Sequence, residues 1–220
     1  MSGTTIHLAV YDDFADWEPG YATSQLTQHG FTVRTVGLTT DPVTTMGGIR
    51  VQPDLTIDEL TPEAIADSAL LLLTGSTRWD TGDDLAPFAA KAGGFLAAGV
   101  PVAAICGATL GLARAGLLDD RDHTSAVSFY LAASGYQGGE RYQEADAVTD
   151  GDLITAGPTE PIAFAREILG KLGVYEERKL DAWYRLFHDS DASAYAVLQG
   201  ADEPAEGAAD AATADSRGTS

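Results

Sequence analysis

The chain has little cysteine, little lysine and no long apolar run. Its 220 residues include one cysteine, Cys106, and three lysines. A single cysteine excludes an internal disulfide framework, which fits a reducing compartment. No apolar segment reaches the length of a membrane span, and the first residues lack the basic and apolar regions of a signal peptide. We therefore expect a soluble, untargeted cytoplasmic protein.

Positive charge is also scarce, since 13 basic residues stand against 33 acidic ones and the formal net charge is −20. Nucleic acids and anionic membranes both attract positive charge, so neither is an expected partner. Salt screens the mutual repulsion of a strongly acidic surface, which is typical of proteins that work at high salt. We interpret the composition as halophilic. The alternative is an ordinary acidic protein with an acidic tail.

The order of apolar segments predicts one α/β domain over residues 1–198. Short apolar runs alternate with helical patterns, as expected for a mostly parallel sheet with helices on both faces. We predict strands over 6–11, 31–38, 69–74, 100–105, 147–149 and 153–155, helices over 18–29, 83–99, 108–117, 129–134, 161–172 and 176–188, and a loop or small hairpin over 39–50. Residues 199–220 have no large apolar side chain and are predicted to be a disordered acidic tail.

Cys106 is the main candidate for chemistry. It directly follows the predicted strand 100–105 and precedes a helical pattern, so its thiol lies at a strand–helix junction. Unpaired N–H groups and the partial positive charge of a helix N-terminus favour the thiolate, which is the nucleophilic form of cysteine. The alternative is a buried structural cysteine.

Residues that follow two other strands predict the rest of the site, because ligands bind at the carboxyl ends of parallel strands. Glu18 is a candidate partner that hydrogen-bonds the sulfur; the alternative is a first-turn acid favoured by the helix dipole. The N–H groups of Gly75 and Gly107 are candidate donors to a developing oxyanion, although glycines also commonly end strands. Trp79 and Asp80 are candidate substrate-binding residues, as an apolar wall and a charge selector; the alternative is a surface loop.

Several segments together resemble the ThiJ/PfpI superfamily, a group with the class I glutamine-amidotransferase-like fold. They are Asp16-Trp17-Glu18, Thr74-Gly75-Ser76 with Trp79-Asp80, Ala104-Ile105-Cys106-Gly107-Ala108, Ala113-Arg114-Ala115-Gly116-Leu117-Leu118 and His123-Thr124-Ser125. The resemblance implies a flavodoxin-like three-layer sandwich, a homodimer and a cysteine on a nucleophile elbow. It matches Cys106 to the reactive cysteine and Glu18 to a glutamate that hydrogen-bonds the thiolate. It matches Gly75 and Gly107 to the oxyanion site.

Two histidine positions of the resembled superfamily are occupied differently here. Gly107 follows Cys106 where several catalytic members have a histidine, and Ala126 follows Ser125 where others have one. His123 is a candidate proton carrier if its loop turns towards the cysteine; the alternative is a loop histidine bonded to the backbone. The other histidines show no metal-ligand spacing, and no phosphate-binding or dinucleotide motif occurs, so we expect neither a metal nor a cofactor.

These residues predict a hydrolase or amidotransferase-like enzyme that acts on a small-molecule substrate, with Cys106 as the nucleophile. Glu18 tunes the thiolate in this hypothesis, the Gly75 and Gly107 amides hold the oxyanion, and His123 or Glu18 carries protons. There are two alternatives, an oxidative-stress protein whose Cys106 is oxidised and a superfamily member without catalytic activity. Peptidase activity is less favoured, because it needs a proton donor for the leaving amine.

Overall fold

A computed structural model describes residues 3–200 and contains a seven-stranded sheet with helices around it. The strands are β1 (Thr5–Ala9), β2 (Thr32–Gly37), β3 (Val43–Thr44), β4 (Arg50–Val51), β5 (Leu55–Thr56), β6 (Ser68–Leu73), β7 (Val102–Ile105), β8 (Ala147–Asp150) and β9 (Leu153–Ala156). The helices are α1 (Gly20–Gln28), α2 (Pro62–Ala66), α3 (Ala86–Ala97), α4 (Gly107–Arg114), α5 (Ser128–Ala132), α6 (Pro161–Lys171), α7 (Glu177–His188) and α8 (Ala194–Leu198).

The strands of the main sheet lie in the order β5-β2-β1-β6-β7-β9-β8. All neighbours are parallel except β8, which runs antiparallel to β9. The helices α1, α6 and α7 form one packed group, and α2, α3 and α4 form another. The predicted mostly parallel α/β sandwich is therefore confirmed. The separate β3–β4 hairpin lies inside the predicted loop or hairpin over 39–50, except for Val51.

The centre of the sheet positions the candidate site. Every residue of β6 is buried, as expected for a strand covered by helices on both faces. The neighbours of β6 are β1 and β7, so the three strands that precede Glu18, Gly75 and Cys106 lie side by side. Because these strands are parallel, their carboxyl ends meet at one edge of the sheet.

The differences from the sequence prediction concern element ends and short elements. Helix α1 begins at Gly20, so Glu18 lies in the preceding loop, and α3 begins at Ala86. The short strand β5 and the short helix α8 were not predicted, because two to five residues carry too little periodicity. Most of the predicted tail, residues 201–220, lies outside the described residues. Between residues 3 and 200, no helix is both long and apolar enough to cross a membrane.

Candidate active site

Strand β7 leads directly into a sharp turn at Cys106. The backbone of this residue has φ 60° and ψ −129°, a combination that residues with a side chain rarely adopt. Its N–H donates to the carbonyl oxygen of Ala156 at 3.1 Å, so pairing with β9 continues up to the turn. Helix α4 begins at the next residue, Gly107. The thiol is therefore held half-buried at a helix start, on a strained elbow.

Gly75 brings the loop after β6 against the thiol. A Cβ atom on this glycine would lie 2.7 Å from Cys106 Sγ, closer than real Cβ atoms approach, and 3.0 Å from Glu18 Oε1, which is a tight contact. Only glycine fits at this position, because any larger residue would push the sulfur or the carboxyl group away. Because both distances are measured from the same Cβ position, the thiol and the carboxyl group lie next to each other beside Gly75.

Glu18 is fully buried beside Cys106. Its Oε2 accepts the N–H of Gly75 at 2.6 Å, while Oε1 faces the thiol and has no hydrogen bond of good geometry among residues 3–200. Burial raises the pKa of Glu18 to about 7, although the Gly75 N–H and the Cys106 thiol both lower it. A carboxyl group with this pKa takes up and releases a proton near neutral pH.

The Cys106 thiol is harder to ionise than the sequence predicted. Burial, followed by the Glu18 carboxylate, raises the pKa of Cys106 to about 12, and the Asp80 carboxylate adds to this rise. The N–H of Gly107 lowers the pKa, as expected at a helix start, but its effect is smaller. The predicted effect of the helix N-terminus is therefore present, but burial and the Glu18 carboxylate outweigh it. Nucleophilic attack by this sulfur requires transfer of its proton.

The structure leaves one of the two predicted oxyanion donors available. The N–H of Gly107 interacts with the Cys106 sulfur and lowers its pKa. The N–H of Gly75 is already bound to Glu18 Oε2, so it orients the carboxyl group instead of an oxyanion. Sequence reasoning missed this contact, because it depends on how the loop before α1 folds over the end of β6.

His123 is hydrogen-bonded to groups other than the cysteine. Its Nδ1 lies 2.7 Å from the carbonyl oxygen of Arg121 and its Nε2 lies 3.2 Å from the hydroxyl of Tyr136. The rings of Tyr136 and Tyr142 pack edge-on against the buried imidazole, and burial lowers the pKa of His123. Both ring nitrogens have these other partners, which argues against the predicted role as a proton carrier. His123 is instead a loop histidine bonded to the backbone.

Trp79 packs against helix α4, which follows the turn at Cys106. Only 2% of the residue is exposed, and its Nε1 donates to the carbonyl oxygen of Thr74 at 3.0 Å and to the hydroxyl of Tyr11 at 3.1 Å. The ring packs on α4, where a Cβ atom on Gly111 would lie 2.2 Å from it. Trp79 also lines a cavity of about 320 Å³ between α3 and α4. We assign it a structural role in place of the predicted apolar wall beside the substrate.

Asp80 has a partner that the sequence analysis missed. Its Oδ1 accepts a hydrogen bond of 2.6 Å from the hydroxyl of Tyr130, a half-buried residue of α5. Burial, followed by the Asp80 carboxylate, raises the pKa of Tyr130, so the phenol keeps its proton. The charge of Asp80 acts on Cys106, and that of Cys106 acts on Tyr130, so the three side chains share one region. No sequence pattern links Tyr130 to a residue fifty positions away.

A second group of titratable side chains lies on other elements. Ligand atoms of Asp146, Glu160 and His188 all lie within 4.8 Å of one another, close enough to hold a metal ion. His188 Nδ1 also bonds to Asp189 at 2.6 Å. The sequence analysis found no metal-ligand spacing because these residues come from three separate parts of the chain. The group is exposed or half-buried and includes neither Cys106 nor its partners.

Comparison with known proteins identifies the family. The sequence profile described as the DJ-1/PfpI family matches residues 4–171. The chain belongs to the DJ-1/PfpI family. This assignment confirms the ThiJ/PfpI resemblance.

Two bacterial relatives of the DJ-1/PfpI chain come from Bacillus subtilis (strain 168). This chain is similar to the "uncharacterized protease YoaZ", with 36% identity over 197 residues, which cover 84% of this chain and 91% of the relative. It is also similar to the "uncharacterized protease YdeA", with 36% identity over 164 residues, 73% of this chain and 79% of the relative.

Two solved structures share the DJ-1/PfpI fold with this chain. The thiJ/pfpI family protein from Bacillus anthracis has a TM-score of 0.85 and 35% identity, covering 93% of this chain and 99% of that one. The DJ-1 superfamily protein Atu0886 from Agrobacterium tumefaciens has a TM-score of 0.75 and 32% identity, covering 86% of this chain and 99% of that one. Both similarities extend over most of the chain.

Proposed function

We propose that this DJ-1/PfpI protein is a cysteine-dependent hydrolase or amidotransferase-like enzyme that acts on small molecules, with Cys106 as the nucleophile. The observation that carries the proposal is the contact region over Gly75, where the Cys106 thiol and the buried Glu18 carboxyl group face each other. A nucleophile next to a group that accepts its proton is the arrangement that covalent catalysis needs.

The proton of the thiol moves to Glu18 in the proposed reaction. As Sγ attacks an electrophilic carbonyl carbon, the carboxylate takes the thiol proton and a C–S bond forms. The Gly107 N–H binds the developing oxyanion. Glu18 then returns the proton to the leaving group as its bond to carbon breaks. Water hydrolyses the resulting thioester, restores the thiol and releases the acid product.

The relatives support hydrolysis, because two of them are named as uncharacterized proteases. A Cys–His mechanism for peptide bonds does not fit this chain, since both nitrogens of His123 are bound elsewhere. Glu18, with its pKa raised to about 7, is the proton carrier that the site offers. We therefore propose small amides or other small carbonyl compounds as the substrate class.

The alternative of an oxidative-stress protein is less well supported. Peroxide oxidises the thiolate, and the thiolate fraction of a cysteine whose pKa is raised to about 12 is small at neutral pH. The chain also has no second cysteine with which an oxidised Cys106 could form an internal disulfide. The absence of a second cysteine favours acyl chemistry over redox sensing through an internal disulfide.

Replacement of Cys106 tests the proposal. We expect Cys106→Ser and Cys106→Ala to lower turnover of a panel of small amides and carbonyl compounds by roughly a thousandfold or more, because the nucleophile is lost. Circular dichroism should show that both variants stay folded. An unchanged rate in either variant would overturn the proposal. Peroxide-dependent mass gain on Cys106, without turnover of any panel member, would favour the oxidative-stress alternative.

A further inference from the structure

The charges around the Cys106 thiol are of one sign. The two charged side chains with the largest effects on it are the carboxylates of Glu18 and Asp80, and both raise its pKa. Glu18 is buried below the sulfur, whereas Asp80 is exposed to solvent. Asp80 directly follows Trp79, whose side chain would lie 3.2 Å from a Cβ atom on Gly107, so an exposed carboxylate stands close to the turn that carries Cys106.

Nearby arginines do not balance this negative charge at the thiol. Arg78 is paired with two aspartates, with Nη1 at 3.5 Å from Asp12 Oδ2 and Nη2 at 2.8 Å from Asp84 Oδ2. Arg114 donates from Nη1 to the carbonyl oxygen of Trp79 at 2.5 Å. Arg114 lowers the pKa of Tyr130, but it is not among the groups with the largest effects on Cys106.

The position of Asp80 is set by Tyr130. Their hydrogen bond of 2.6 Å joins the loop after β6 to α5, and both of these segments contact α4, the helix that begins beside Cys106. The phenol proton goes to Asp80 Oδ1. The second oxygen of Asp80, Oδ2, makes no hydrogen bond within residues 3–200, and the phenol oxygen can itself accept one. The pair thus offers acceptors, but no donor, to a bound ligand.

We propose that the Cys106 site takes small substrates that are positively charged, or neutral and rich in hydrogen-bond donors, and that Asp80, held by Tyr130, determines this specificity. The fitting groups are ammonium, guanidinium, primary amide and hydroxyl groups next to the electrophilic carbon. Carboxylates and phosphates are disfavoured, because each brings a negative charge to an acceptor that has no proton to donate. This inference rests on the proposed function, since both need a reactive Cys106 that a ligand can reach.

Two reagents of opposite charge test the specificity through Cys106, which is the only cysteine of the chain. Trimethylammonioethyl and sulfonatoethyl methanethiosulfonate both convert a thiol to a mixed disulfide and release methanesulfinate, so mass spectrometry gives each rate. The rates are divided by those of the same reagents with free mercaptoethanol. We expect the cationic reagent to react roughly tenfold faster or more in the native protein, as charge steering allows.

Removal of the Asp80 charge should reduce this preference. Asp80→Asn keeps an oxygen acceptor for Tyr130, and we expect the ratio of the two rates to fall at least about threefold. Tyr130→Phe frees the carboxylate and should lower the ratio less. Asp83→Asn is the matched control, because it removes one exposed charge from the same loop at a residue that is not among the main influences on Cys106. Its ratio should stay unchanged.

A measurement at about 1 M salt separates the local contact from the general acidity of the protein, since the screening length is then about 3 Å. We expect part of the preference to persist in the parent protein and to be absent from Asp80→Asn. Equal ratios in the parent and Asp80→Asn would overturn this inference while the proposed function stands. If neither reagent modifies Cys106 in the folded protein, although both modify it after unfolding, the proposed function and this inference both fail.

Discussion

Glu18 combines full burial, a backbone donor on one oxygen and a thiol facing the other. Its residue type and its place after the first strand are readable from the sequence. Its contact with the sulfur is expected from the sequence, but its hydrogen bond from the Gly75 N–H is not, because the loop before α1 must first place the side chain beside Cys106. At the scale of single residues, therefore, the candidate groups could be chosen from the sequence but the direction of proton transfer could not. The raised pKa values of Glu18 and Cys106 both come from burial in the folded protein.

Reactivity of Cys106 should depend on the ionisation of Glu18. The carboxylate, not the acid, accepts the thiol proton, so the rate of alkylation by iodoacetamide should rise as the pH increases through about 7. Glu18→Gln should abolish this inflection and leave only a rise at higher pH. Asp16→Asn, whose parent carboxylate bonds to Thr45, is the control and should keep the inflection. A profile that is identical in the parent and Glu18→Gln would contradict the assignment.

Glu18 should also lower the stability of the folded protein at high pH. Its folded pKa of about 7 exceeds the ordinary value of 4.5, so folding favours the protonated form and stability is lost as the pH rises from 4.5 through 7. A tenfold difference in proton affinity is worth about 1.4 kcal/mol, so we expect Glu18→Gln to gain roughly 3 kcal/mol above neutral pH and little at acidic pH. Urea unfolding at the two pH values measures this gain. A pH-independent difference would exclude ionisation as its cause.

At the scale of elements, the helix that follows Cys106 is fixed by close packing rather than by helix propensity. Helix α4 contains Gly111, and the Trp79 ring occupies the space that a side chain would need there. The strand–turn–helix pattern was predictable, since an apolar run ends at the cysteine. The fit between the ring and the glycine was not predictable, because the two residues lie in separate segments of the chain.

Gly111→Ala should therefore destabilise the protein. The new methyl group would meet the Trp79 ring at 2.2 Å, and overpacking of this kind typically costs about 1–3 kcal/mol. Gly93→Ala in α3 is a matched control, because its methyl group would lie 3.6 Å from Leu117 and alanine is the better helix former by up to about 1 kcal/mol. Urea unfolding should show opposite signs for the two variants. Equal effects would mean that the ring moves aside at little cost.

At the scale of the whole molecule, the main feature is a large excess of negative charge. The sequence has 33 acidic residues and 13 basic ones, which leaves a formal net charge of −20. Self-repulsion of this size weakens the compact state, and salt screens it. We therefore propose that the protein is adapted to high salt. The homodimer implied by the resemblance stays a prediction.

Thermal unfolding in potassium chloride tests this adaptation. Between about 0.1 M and 2 M salt we expect the midpoint to rise by roughly 5 °C or more, equivalent to about 2 kcal/mol for a chain of this length. Sucrose at matched osmolarity is the control, since it stabilises without screening charge. A midpoint that is flat or falls over this range would favour the ordinary acidic protein.

The α/β architecture, the family and the position of Cys106 at a strand–helix junction follow from the amino-acid sequence, because alternating apolar runs and local motifs are properties of neighbouring residues. The chemistry around the sulfur depends on tertiary contacts. In the folded protein the Gly75 N–H donates to Glu18, and Tyr130 donates to Asp80. His123 is hydrogen-bonded to Arg121 and Tyr136. These contacts join residues far apart in the chain, and the burial that shifts their proton affinities exists only once the chain has folded.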